Sequence, residues 1–146
     1  MKKFFYLMSL MLALVVSGMI ITSCGDDDED SGLDSNVFAM TKGYWERDNN
    51  PIDKYGYHEW IPYWEITANN LFCRNEDHSV GEKYVIDKFN KNTNTIVCTY
   101  IDLEDGTEGY KSYIKVVSVT QEKLSVRYYE EGEEDDYETA TFTRVR

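Results

Sequence analysis

From Thr41 onward, the apolar residues of this 146-residue chain fall at every second position. A period of two belongs to the pleated strand, whose successive side chains point to opposite faces, and not to the helix with its period of 3.6. Branched and aromatic residues, which suit a half-buried pleated surface, dominate these runs. Eight strands are predicted, over 43–47, 59–67, 71–75, 83–89, 95–102, 109–119, 123–130 and 137–145, with no run of helical periodicity among them.

The links between the runs are short and rich in turn residues: "ANN" at 68–70, "NKNTN" at 90–94, "EDG" at 104–106, "TQE" at 120–122 and "EGEED" at 131–135. Connections this short join antiparallel neighbours, so the runs form an up-and-down meander. A meander of about eight strands removes its two exposed edges by closing into a barrel. The expected fold class is therefore all-β, one barrel over 41–146. Alternation assigns its interior to Trp60, Trp64 and Ile66, then Tyr84 and Ile86, then Ile96, Cys98 and Tyr100. Ile114 and Val116, then Leu124, Val126 and Tyr128, then Ala140 and Phe142 complete it. On this layout Cys73 and Cys98 lie two strands apart, roughly 10 Å by the inter-strand spacing. A disulfide needs Cα atoms within about 7 Å, so two buried free thiols are expected.

Two motifs at the ends of this region point further. "KGYWER" sets Gly43-Tyr44-Trp45 on the first strand and "TFTRVR" supplies Arg144 or Arg146 on the last. Together with the eight runs they resemble the lipocalins and their relatives, whose signature is Gly-x-Trp on the first strand. The resemblance covers residues 41–146 and implies that an arginine of the final strand, Arg144, stacks on Trp45 and closes the barrel floor. Where lipocalins carry a long lid loop, this chain has the short "DNNPIDKYGYH".

The N-terminus carries a second resemblance. Lys2 and Lys3 precede an apolar run from Phe4 to Ile21, the order of a secretory signal. The "ITSC" that ends it resembles the lipobox of bacterial lipoproteins, in which the cysteine is acylated and becomes the new N-terminus. That resemblance implies a signal peptide over 1–23, a lipidated Cys24 and an acidic flexible tether over 24–40. Acyl chains contribute about 0.8 kcal/mol per buried CH₂, so two or more make a lasting anchor. The acids 26–30 directly after the cysteine resemble the tether of surface-exported lipoproteins of Gram-negative bacteria; a solvated, self-repelling linker accounts for them equally. The implied location is the outer membrane, facing outward, with its periplasmic face as the alternative. Loss of Lys2 and Lys3 takes the formal charge from −12 to −14. Such a surface repels nucleic acid, so none is expected as partner.

Chemistry-bearing motifs are sparse. His58 and His78 lie outside any H-x-x-H or H-E-x-x-H spacing, and no G-x-S-x-G elbow occurs. "DLEDGTE" at 102–108 lacks the spacing of a calcium loop and reads as a hairpin turn; "EEGEEDD" at 130–136 reads as a solvated turn, with a weakly held calcium ion as the alternative. No catalytic residue, metal or cofactor is expected. The excess lies in aromatics, five of them in "YGYHEWIPYW" at 55–64. Tyr55, Tyr57, Trp60, Tyr63, Trp64, Tyr84, Tyr100 and Tyr128 are the candidate ligand contacts, with core filling the competing role for the inward-facing ones.

The expected function is that of a monomeric, lipid-anchored binding protein of the cell envelope. It would hold a small apolar or glycan ligand in or at the mouth of its barrel. The alternative is a protein-interaction or inhibitor module with a filled barrel and an acidic surface. A cavity within the barrel separates the two.

Overall fold

A computed structural model describes residues 34–145; Cys24, the signal segment, the first part of the expected tether and Arg146 lie outside the described residues. The chain opens with α1 (Asp34–Thr41) and continues through β1 (Gly43–Arg47), β2 (Tyr63–Ile66), β3 (Asn70–Arg74) and β4 (Val80–Asn90). β5 (Thr95–Ile101), β6 (Glu108–Val119), β7 (Lys123–Glu130) and β8 (Glu138–Arg144) follow. Each strand pairs antiparallel with its chain neighbours, and β8 returns to β1 to close an eight-stranded up-and-down barrel. The closing register sets Trp45 opposite Arg144, Glu46 opposite Thr143 and Arg47 opposite Phe142.

Three local departures from simple alternation matter. The second predicted strand begins at Tyr63, four residues later than expected, because Pro62 has no N–H to give to a ladder. Trp60 therefore sits in an ordered connection, held by Asn50, which donates from Nδ2 to its carbonyl and accepts its N–H. A β-bulge between Ile86 and Lys88 leaves Asp87 without an opposing residue. The inserted residue reverses the parity of β4, so Phe89, opposite Ile96, turns inward.

The third departure is α1, which occupies the last residues of the expected flexible tether. Eight residues are too few for a helix to be stable alone. Tertiary contacts hold this one across one end of the barrel. Phe38 stacks on the Phe89 that the bulge turned inward, with centroids 5.3 Å apart. At its C-terminus, where carbonyls lack intrahelical partners, Thr41 O accepts from Trp45 Nε1 at 2.7 Å. Arg144 donates to Met40 O from Nη2 at 2.7 Å and to Lys42 O from Nη1 at 2.9 Å. The guanidinium also complements the negative end of the helix dipole.

Above this floor the core is a stack of inward-facing residues, among them Trp45, Trp64, Leu71, Ile96, Ile114, Leu124, Val126 and Phe142. Cys73 and Cys98 belong to it as free, buried thiols. Burial pushes the Cys98 thiol up to about 12 and raises that of Cys73 well above its ordinary value, where Glu82 adds to the effect. Only the thiolate attacks a disulfide reagent. Neither thiol is expected to react with an aromatic disulfide at pH 8 in the native protein, and both are expected to react on unfolding in urea. Fast labelling of either without denaturant would show that this part of the barrel opens readily.

Candidate functional site

The up-and-down order sorts the connections onto two ends. The turns at 67–69, 91–94 and 120–122 lie at the end covered by α1. The connections at 48–62, 75–79, 102–107 and 131–137 lie at the other. At that second end the barrel holds a half-open cavity of about 340 Å³. This volume is within the range of small-molecule sites, toward its lower bound.

The deeper part of the cavity is apolar. Trp64, Leu71, Cys73 and Ile114 line it, supplied by alternation from three strands, with Leu71 and Cys73 two residues apart on β3. Trp64 is fixed by Phe142, with centroids 4.6 Å apart, and by an edge contact with Tyr128 at 5.6 Å. Aromatic walls follow. Tyr84 donates its O–H to Glu82 Oε2 at 3.1 Å, and its oxygen lies 3.2 Å from Tyr110 Oη. With the Tyr84 proton committed to Glu82, Tyr110 is the donor of that second bond. Burial chiefly, with the nearby Glu82 carboxylate adding to it, raises the Tyr84 phenol far above its ordinary value. Burial and the carboxylate of Glu138 push Tyr128 up to about 12. Both phenols therefore stay protonated at neutral pH.

Around the mouth the lining turns polar. Arg47 places its Cζ 4.4 Å from the Trp60 ring centroid. Both of its terminal nitrogens lie 3.2 Å from Tyr128 Oη, and Tyr128 in turn donates to Glu138. Glu59, Glu82, Glu130 and Glu138, with Ile61 and Ser112, complete the lining. The four connections at this end carry thirteen Asp and Glu residues against one lysine, Lys54. A field of this sign concentrates cations at the mouth and repels anions. A second depression, of about 620 Å³, shares Arg47, Trp60 and Glu138 and continues over Thr139, Ala140 and Thr141.

The predicted contacts divide. Trp60, Trp64, Tyr84 and Tyr128 line the cavity. Tyr100 backs it, with its ring stacked on Tyr110 at 5.2 Å and 3°. Tyr63 faces outward, packed between Tyr44 at 5.5 Å and His78 at 4.9 Å. Tyr55 and Tyr57 are each 71% exposed on the 48–62 connection. There both backbone N–H groups bond to Asp53 Oδ1, and neither ring joins the cavity lining. At the opposite end Arg144 Cζ lies 4.1 Å from the centroid of Trp45, the pair that the lipocalin resemblance implied. Among the described residues no group of three or more His, Cys, Asp or Glu side chains is arranged to hold a metal ion.

Sequence reasoning missed Arg47, Tyr110, Ser112 and the inward carboxylates. The signal was present: Glu82 stands two residues before Tyr84, Glu130 two after Tyr128 and Glu138 two before Ala140, so each shares the inward parity of a core residue. "DLEDGTE" is the hairpin turn it resembled, with Asp102 Oδ1 accepting from the backbone of Glu104 and Gly106 at φ +73°. Comparison with family models, with characterised proteins and with solved structures finds no match to this chain.

Proposed function

We propose that this chain is a lipid-anchored ligand carrier of a bacterial cell envelope, related to the lipocalins, with its ligand seated in the open end of the barrel. The observation that carries this reading is the cavity of about 340 Å³, apolar at its base and walled by Trp60, Trp64, Tyr84 and Tyr128. A barrel serving only as a scaffold gains stability by filling such a space, since unfilled volume costs core contacts. The cavity favours the carrier over the inhibitor with a filled barrel.

The remainder of the proposal is supported by the N-terminal sequence. "ITSC" followed by acids fits acylation at Cys24 and display on the outer membrane. α1, the first described element, lies at the closed end. A chain tethered through it turns its mouth away from the bilayer, toward whatever the surface meets. The strand order, Gly43 and the stack of Arg144 on Trp45 support kinship with the lipocalins.

The test uses N-phenyl-1-naphthylamine, a neutral apolar dye whose emission rises when it leaves water. Saturable binding at one site per chain is expected, with a Kd in the micromolar range. A cavity-filling variant, Ser112→Leu, places a larger side chain in the wall and is expected to weaken binding at least tenfold while the barrel remains folded by circular dichroism. Absence of saturable binding, or binding indifferent to Ser112→Leu, would overturn the carrier reading.

A further inference from the structure

The cavity has two unlike ends, and their order restricts what it can hold. At its base Trp64, Leu71 and Ile114 offer only apolar surface. At its mouth three strands each turn one carboxylate inward: Glu82 from β4, Glu130 from β7 and Glu138 from β8. Among the described residues none of the three is in a salt bridge. The one cationic side chain of the lining, Arg47, is already engaged with the Trp60 face and the Tyr128 hydroxyl. Its single charge leaves the mouth strongly negative.

We infer, on the carrier reading above, that the ligand is an amphipathic organic cation, an amine whose apolar body enters first and whose ammonium group remains among Glu82, Glu130 and Glu138. An anionic ligand, such as a fatty acid, would have to set its carboxylate beside these three. A neutral ligand would gain from the walls and nothing from the charge. A cation gains from the carboxylates and from the electron-rich faces of Tyr84, Tyr110 and Tyr128, a pairing that strengthens as water is excluded. The acidic connections around the entrance add steering, which speeds the arrival of cations and fades with salt.

The experiment compares three ligands of one shape on the intact chain at pH 7: 2-phenylethylamine, 2-phenylethanol and phenylacetate, read by tryptophan fluorescence and by displacement of N-phenyl-1-naphthylamine. The amine is expected to bind at least tenfold more tightly than the alcohol, and phenylacetate most weakly. In 0.5 M NaCl the advantage of the amine over the alcohol is expected to shrink several-fold. Glu82→Gln and Glu130→Gln together are expected to narrow that advantage at least fivefold. Because the alcohol is measured in the same variant, loss of the fold would show as loss of both. An amine that binds no better than the alcohol would overturn the cation preference, even where the dye still binds. Loss of all binding, the dye included, would overturn the carrier reading as well.

Discussion

Trp45→Ala is expected to destabilise the barrel by about 3–5 kcal/mol, the usual cost of truncating a buried tryptophan. Its ring is fully buried (0% exposed) at the centre of the floor. One face carries the Arg144 guanidinium at 4.1 Å, and its indole N–H satisfies the last helical carbonyl of α1. Truncation thus leaves a void, strips the guanidinium of its platform and orphans Thr41 O. Domains of this size are stable by only about 5–15 kcal/mol. With a urea dependence of about 1–3 kcal/mol per molar, the unfolding midpoint should fall by at least ~1 M. Trp45→Phe, which keeps most of the apolar area but loses the hydrogen bond, should lie between the two. A fall below ~1 kcal/mol for the alanine variant would contradict the central place given to this ring.

The second large effect is expected two residues earlier. Gly43 has φ +145°, and a Cβ added there would stand 2.2 Å from Arg144 Nη1. A flexible arginine tip can usually move aside. This one is fixed by the Trp45 ring and by the carbonyls of Met40, Lys42 and Gln121. Gly43→Ala therefore adds roughly 1–3 kcal/mol of backbone strain to the loss of a charged hydrogen bond worth about 1.5–3 kcal/mol. A total near ~3 kcal/mol is expected in urea unfolding. The two parts can be separated by repeating the substitution in Arg144→Met, where no guanidinium remains to be displaced. A coupling above ~1 kcal/mol between the two positions is expected; additivity within ~0.5 kcal/mol would show that the clash is relieved at no cost. The same geometry gives the physical reason for a Gly-x-Trp pattern: the glycine leaves room for the group that stacks on the tryptophan.

The strands were legible because period two, β-forming residues and turn chemistry agreed along the chain, and each of the eight predicted runs overlaps one observed strand. What failed was local. Pro62 delayed the start of β2 and left Trp60 out of the ladder. The bulge at Asp87 reversed parity, which a strict alternation places on the wrong face, so Phe89 went unnoticed as a core residue. α1 carries little periodicity of its own and exists through Phe89, Trp45 and Arg144, contacts that no local window contains. The candidate site was half visible. Its rings stood out as an aromatic excess, whereas its carboxylates were hidden by the assumption that inward means apolar. That assumption holds for the floor, where water is excluded, and lapses at a hydrated mouth, where Glu82, Glu130 and Glu138 keep their solvation. Tyr63 shows the converse. An aromatic residue beside the site in sequence faces outward and packs with Tyr44 and His78 instead.

The clamp that Arg144 makes also has a mechanical meaning. Force applied through the N-terminal side of the barrel enters at α1. From there it reaches the sheet through the bond from Trp45 to Thr41 and through the Arg144 bonds to Met40 and Lys42. Arg144 is itself tied to the β6–β7 turn at Gln121 O, and Val145 to Tyr44 O. A pull on α1 is therefore shared among β1, β8 and that turn. Under load, the rate of failure would be set by how fast this clamp breaks. The cavity, at the far end of the barrel, would be the last part to bear the strain.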